Sequence, residues 1–183
     1  MLARLHRKVL SQIGYCRETH PTLGQVEMII DCSKRFLEGG KSIGEKREGL
    51  KLLAKGDYVC FLDDDEDVSP DYVETLLRLC NENEDVCTFR NISKLANNWA
   101  LIDMSIYNSN EQLNPDRITK REPWHICPVR NDYAQLYSFT DLNYGEDWMW
   151  FKNVLNHCKT EAKTDKIIHQ YNHGAHSEAD KIK

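Results

Sequence analysis

"YVCFLDDDEDVSPDYV", residues 58–73, is the stretch on which the fold turns. The apolar run Tyr58–Leu62 drives into five consecutive acids, Asp63, Asp64, Asp65, Glu66 and Asp67, and a new segment opens at Ser69-Pro70. Like charges at this density repel one another, so their position at the end of a buried element needs a cause. Three readings compete: a solvated acidic loop, which most charge runs are; a calcium loop of the EF-hand type; and a divalent metal site at the carboxyl edge of a sheet, where α/β folds bind ligands. Asp63, Asp65, Asp67 and Glu74 do fall at the first, third, fifth and twelfth positions of a calcium loop. Its sixth position, however, needs glycine for a sharp turn and is Val68 here, and Pro70 lies inside the loop. The residues before it have strand character where an EF-hand has a helix.

The remaining sequence frames the choice. The 183 residues suffice for one domain with a real core, and the net charge of −5 is a poor general tether for nucleic acid or anionic membrane. No apolar run reaches the length of a membrane span, and no signal peptide is read. The seven cysteines, at 16, 32, 60, 80, 87, 127 and 158, form no CxxC pair. That pattern predicts reduced thiols in a cytoplasmic setting, several of them core residues.

Leu2, Leu5, Val9 and Ile13 predict an opening helix. Val26–Ile30 reads as a buried strand ending at Asp31, and Gly39-Gly40 as a turn. Ser42 and Glu45 have capping-box spacing and open a helix to about Lys55, on which Ile43, Arg47, Leu50 and Ala54 form one stripe. Gly56 ends it and the 58–62 strand follows. Ser69-Pro70 starts a helix with Val73, Leu76, Leu77 and Cys80 on its core face. Residues 85–90 and 99–106 read as strands with a loop between them, 107–122 as irregular, and 124–130 as a short strand or ordered loop. Gly145 precedes a helix with Trp148, Phe151, Leu155 and Cys158 on one face, and 166–172 is a last strand before a polar tail. The alternation of helix and strand predicts a three-layer α/β/α domain with a mainly parallel mixed sheet.

In that frame the acids sit past the end of a central strand. Two carboxylates one residue apart can share a crevice, their repulsion relieved by Mg²⁺ or Mn²⁺ with phosphate oxygens completing the shell. Asp63 and Asp65 are the first candidates and Asp64 the next. Arg47 lies on the apolar stripe of its helix, where an arginine is costly without an anion. With Lys46 it can neutralise a diphosphate at the helix N-terminus, or it pairs with Asp31 or the acidic cluster. In "NYGEDWMW" (143–150) Asp147 stands in a helix's first turn on a partly apolar face, which predicts a raised pKa suited to a general base; an ordinary dipole-stabilised acid is the other reading.

Together, "SIGEKREGLKLLAKGDYVCFLDDDEDVSPDYV" (42–73) and "GEDWMW" resemble family 2 glycosyltransferases of the GT-A fold. That family joins a Lys-Arg helix, a strand ending in a DxD motif and a later ED motif, and the likeness covers roughly residues 2 to 172. The resemblance implies that Asp31 reads the base of a nucleotide. It makes Lys46 and Arg47 donor-side cations, and Asp63 and Asp65 metal carboxylates with Asp64 beside the donor. Asp147 becomes the catalytic base and Glu146 its neighbour. A histidine near the C-terminus completes the metal site in some such folds, and His169 and His173 are the candidates. His125, Trp124, Trp148 and Trp150 line the acceptor side or pack in the core.

The implied reaction moves a sugar from a UDP- or GDP-sugar, with Mg²⁺ or Mn²⁺, to a hydroxyl of a glycan, lipid-linked sugar or protein, with inversion. Two departures stand out: Met1 falls where the family's first helix begins, so the first strand is read as missing, and Glu48 follows the Lys-Arg pair where the family often has Asn. A nucleotidyltransferase of the same fold and a non-catalytic nucleotide- or sugar-binding module are the rival functions. One domain is expected over 1–183, with a nucleotide half to about 90 and an acceptor half over about 91–175.

Overall fold

The computed structural model describes residues 2–34, 38–95 and 98–172. Helix α1 (Leu2–Thr19) buries Leu5, Val9, Ile13 and Cys16, the side-chain stripe that steps of four and three produce. Gln12 shares that face and ties the helix to the next one but one. Its amide donates to the Ser69 carbonyl at 2.8 Å and accepts from the Val73 N–H at 2.9 Å, so it satisfies an open donor in the first turn of α3 (Tyr72–Cys80). Helix α3 starts two residues later than Ser69-Pro70 suggests, after a turn in which the Ser69 hydroxyl donates to Asp71 at 2.6 Å.

Helix α2 (Ile43–Leu53) opens with the expected capping box: Ser42 accepts from the Glu45 N–H, and the Glu45 carboxylate accepts from the Ser42 N–H, both at 3.0 Å. Within the first turn, Gly44 presses on the 140–142 segment. Its N–H donates to the Leu142 carbonyl at 3.0 Å, and a Cβ there would lie 1.8 Å from the Thr140 oxygen, so only glycine allows this approach.

The sheet contains β1 (Tyr58–Val59), β2 (Asp67–Val68), β3 (Val86–Leu95), β4 (Asn98–Met104), β5 (Thr119–Arg121), β6 (Val129–Arg130) and β7 (Glu161–Asn172). Its path runs β1-β6-β3-β4-β5, with β7 on β3 and β2 on β7. Helices α1 and α3 pack together, α3 against β3 and β7, while α2, α4 (Asn131–Ala134) and α5 (Glu146–Leu155) gather near β1 and β6. The three-layer α/β order is the expected one, and the sheet is mixed. Among the described residues, parallel pairing is confined to β3·β7 and β4·β5, and the other four ladders are antiparallel.

Several expected elements differ: the expected 58–62 strand is only β1, Tyr58–Val59, at the end of the sheet path rather than its centre, and β5 lies in the 107–122 stretch read as irregular. Residues 26–30 form no strand: the segment is partly exposed and joins no ladder among the described residues. Its β-favouring residues express that preference only where a neighbouring strand offers pairing, and β1 pairs with β6 alone. The loop expected after residue 90 is instead the continuation of β3 to Leu95, because it pairs β4 on one edge and β7 on the other.

Behind β1 lies an aromatic cluster. Phe139 stacks on Trp150 with ring centroids 4.5 Å apart, and Phe61 meets both edge-on at 5.3 and 5.5 Å. The Trp150 indole N–H donates to the Tyr137 carbonyl at 3.1 Å. This cluster welds the residues before the acids to α5, and it makes Trp150 a core residue rather than part of an acceptor wall.

Candidate active site

The five acids do not share one environment. The Glu66 N–H donates to the Asp63 carbonyl at 3.2 Å, and the Asp63 N–H donates to Glu66 Oε2 at 2.9 Å. This double staple folds the run into a tight turn and drives Glu66 inward, where its side chain is 0% exposed and 3.1 Å from Nε2 of the equally buried His169. Asp67 turns the other way, to Arg4 and Lys8 at 2.9 and 2.8 Å. Asp64 is exposed, and Asp63 and Asp65 are half-buried at the mouth. Strand β7 supports the turn from below: the Asn172 amide donates to the Asp65 carbonyl at 2.9 Å, and β2 pairs with Gln170 and His169. Burial, then Asp63 and Glu66, push the Asp65 carboxyl up to about 6, and no described cation is paired with it.

Arg47 is the hub. One guanidinium nitrogen donates to both oxygens of Asp63, at 2.7 and 2.8 Å; the other donates to Glu146 and lies 3.7 Å from Asp147. Burial works against this charge, but Asp63, Asp147 and Glu146 more than offset it and hold the guanidinium protonated. Glu146 is 3% exposed, and burial raises its carboxyl despite Arg47.

Gly145, with φ of 78°, ends the preceding loop in a left-handed turn that starts α5 and places Glu146 and Asp147 in its first turn. Asp147 Oδ2 stands 2.8 Å from Nδ1 of His125, whose Nε2 is 3.8 Å from Asp63. The expected rise in the Asp147 pKa is overturned. Burial does push it up, but the hydrogen bond and charge of His125, followed by Arg47, outweigh burial and hold the carboxyl well below the usual range.

The sequence candidates Asp31, Lys46, Arg47, Asp63, Asp64, Asp65, Glu146 and Asp147 all line one cavity of about 1500 Å³. Asp31 is exposed and accepts from the Ser33 N–H at 2.7 Å, while Lys46 donates to the Ser33 carbonyl at 3.2 Å, so α2 carries the 31–33 segment to the rim. Tyr144 and Trp148, 78% and 55% exposed, flank Asp147 on the same cavity. His169 is not on this wall but beneath the acidic turn, and His173 falls outside the described residues.

Sequence reasoning did not anticipate the placing of Glu66 and His125. Asp63, Glu66 and His125 each bring a ligand atom within 4.8 Å of the others. The three-residue step from Asp63 to Glu66 matches a closed turn, and the apolar flanks of His125 in "WHICPV" point to burial. Neither signal shows that the two side chains converge.

A mixed α/β sheet with an acidic turn at its edge, an arginine helix beside it and an acid-bearing helix opposite defines a nucleotide-diphosphosugar type of domain, the GT-A fold. The family model described as glycosyl transferase family 2 matches residues 42–144, and the chain belongs to that family. Solved structures of Staphylococcus aureus TarS share the fold. TarS 1–349 in complex with UDP-GlcNAc has a TM-score of 0.56 at 15% identity, over 94% of this chain and 48% of that one. The same fragment with UDP gives 0.54 at 14% identity, over 76% and 42%. The chain thus spans less than half the length of the TarS fragments it matches. No curated protein sequence matches it. No helix among the described residues is long and apolar enough to cross a membrane.

Proposed function

We propose that the chain transfers a sugar from a nucleoside-diphosphate donor to an acceptor hydroxyl, with inversion at the anomeric carbon. The observation that carries this reading is the meeting of Asp63, Glu146 and Asp147 around the single guanidinium of Arg47, on the wall of a cavity that also holds Asp31 and Lys46. Acids from the turn after β1 and from the first turn of α5 meet there, which suits one ligand held between the two halves. A UDP-sugar is the first donor to try, since TarS fragments of this fold are solved with UDP and UDP-GlcNAc; a GDP-sugar is the second.

Lys46 and Arg47 sit where a diphosphate would meet the start of α2, and Asp31 lies at the rim where a base would rest. Asp65 and Asp63 are the residues to hold Mg²⁺ or Mn²⁺. The Asp65 carboxyl, raised to about 6 among other acids and without a described cationic partner, fits a cation's neighbour. A bound divalent ion supplies neutralisation of the charge that builds on the leaving diphosphate.

Asp147 is the proposed base. Its low pKa keeps it ionised at neutral pH but weakly basic, so it takes the acceptor proton late, once the new C–O bond has made that hydroxyl acidic. Tyr144 and Trp148 offer flat faces to an acceptor sugar. Seven cysteines without a disulfide suit a reducing compartment, and we place the chain in the cytoplasm.

The test is thermal unfolding with UDP or GDP, with and without Mn²⁺. A rise that needs both is expected, roughly 2.7 kcal/mol of stabilisation at a hundredfold excess over Kd. No shift with any nucleotide and metal together would overturn the donor site.

A further inference from the structure

Beneath the acidic turn, three side chains face one another that the proposed transfer does not use as a set. Asp63, Glu66 and His125 bring one oxygen, one oxygen and one nitrogen within 4.8 Å of each other. Glu66 and His125 are almost wholly enclosed, their side chains 0% and 5% exposed. Glu66 Oε1 and His125 Nε2 have no hydrogen-bond partner among the described residues. A buried carboxylate oxygen left in this way is costly, and a bound cation would offset that cost.

We propose that Asp63, Glu66 and His125 form an inner divalent cation site that fills without nucleotide and shares Asp63 with the mouth position at Asp65.

Each ligand has an outer partner that aims it. Asp147 Oδ2, 2.8 Å from His125 Nδ1, favours the proton on Nδ1 and leaves the Nε2 lone pair for the ion. Glu66 Oε2 is held by the Asp63 N–H at 2.9 Å and faces His169 Nε2 at 3.1 Å, which leaves Oε1 free. Asp63 accepts from Arg47 on both oxygens, but a carboxylate has about four lone-pair directions, so one per oxygen remains. The charge balance favours a cation: Asp63, Glu146 and Asp147 surround one guanidinium, and Glu66 adds a further carboxylate behind Asp63.

Two carboxylates and one imidazole suit a first-row ion such as Mn²⁺ better than Mg²⁺ or Ca²⁺, which take oxygen sets. The site does not rest on sugar transfer, and it holds whether or not the donor reading does.

The experiment is a Mn²⁺ titration of the full chain followed by loss of the free-ion electron spin resonance signal, first without nucleotide. One bound Mn²⁺ per chain is expected. Glu66→Gln, and His125→Ala or His125→Gln, should weaken it at least tenfold, whereas Asp65→Asn should retain it. Addition of UDP should recruit a second Mn²⁺ that Asp65→Asn loses, so failure of the mouth site is read separately from failure of the inner one. Because a buried substitution can disturb folding, the wild-type protein supplies an independent readout: pulsed spin resonance of the nucleotide-free Mn²⁺ form should show coupling to one imidazole nitrogen. No binding without nucleotide, bound Mn²⁺ without nitrogen coupling, or loss through Asp65→Asn with His125→Ala unaffected would each overturn the proposal.

Discussion

Arg47 grips Asp63 through a single guanidinium nitrogen, at 2.7 and 2.8 Å from the two carboxylate oxygens, while its other nitrogen is committed to Glu146. Helix α2 is therefore the beam that joins the acidic turn to α5. Removing the charge leaves Glu146, 3% exposed, without its counter-ion. Arg47→Met should cost about 3–5 kcal/mol, the usual result of orphaning a buried partner, measured by urea unfolding. Glu146→Gln added to it should recover a large part of that loss. Equal destabilisation of the single and double variants would show that the buried charge is not the source of the cost.

Gly44 sets where that beam rests. A methyl group there would stand 1.8 Å from the Thr140 oxygen, a backbone atom that cannot rotate away. Gly44→Ala should push α2 off the 140–142 segment, with about 1–3 kcal/mol of overpacking cost, and should weaken nucleotide binding by moving Arg47. Gly49, on the same helix, has open space at its Cβ position and serves as the control. Gly49→Ala should be neutral or slightly stabilising, since alanine is the better helix former. Equal losses at both sites would remove the close-approach argument.

The sequence was most readable where local chemistry decides the structure. The Ser42/Glu45 box, the apolar stripe of α1 and the Gly145 start of α5 are short-range patterns, and each formed as read. Arg47 on an apolar stripe signalled an anionic partner, and the acidic cluster was one of the partners named. What stayed hidden depends on distant chain. Whether 26–30 joins the sheet is settled by neighbours far away in sequence, not by its own propensity. The inward turn of Glu66 depends on His169, and the lowered Asp147 pKa depends on His125. A face of a helix can be read from spacing; a partner 22 residues upstream in another element cannot.

Asp65 gives the turn a pH signature. Its carboxyl rises from a usual 3.8 to about 6 through burial and through Asp63 and Glu66. A raised folded-state value means the group's contribution is fully present below about 3.8 and is lost as pH climbs through about 6. The wild type should therefore lose ground to Asp65→Asn between those limits, and the two should run parallel above them. Comparing the two proteins cancels the other acids, several of which are shifted the opposite way. With Mn²⁺ and UDP at neutral pH the order should reverse, since only the wild type gains a metal-dependent shift. An Asp65→Ala protein that is unfolded, rather than merely unable to respond to nucleotide, would make the turn structural.

Asp147→Asn separates binding from chemistry. The amide keeps the size of the side chain and an acceptor oxygen toward His125 Nδ1, 2.8 Å away in the native site, but it cannot take a proton. Donor binding should survive, because Asp147 contributes to the Arg47 cluster only at 3.7 Å while Asp63 and Glu146 make the close contacts. Transfer should fall by about 10² to 10⁴, the range for a general base, with slow hydrolysis of a UDP-sugar as the assay until an acceptor is in hand. The pH profile adds a second check. His125 and Arg47 hold the Asp147 carboxyl well below the usual range, so it is ionised throughout neutral and mildly acidic pH. The wild-type rate should consequently show no acid limb from this residue between about pH 5 and 8, where a base with the raised pKa read from sequence would show one. If Asp147→Asn loses nucleotide affinity as severely as Asp65→Asn, the carboxylate belongs to the donor site. The proton acceptor would then be sought first in His125, 2.8 Å from Asp147 on the same cavity wall.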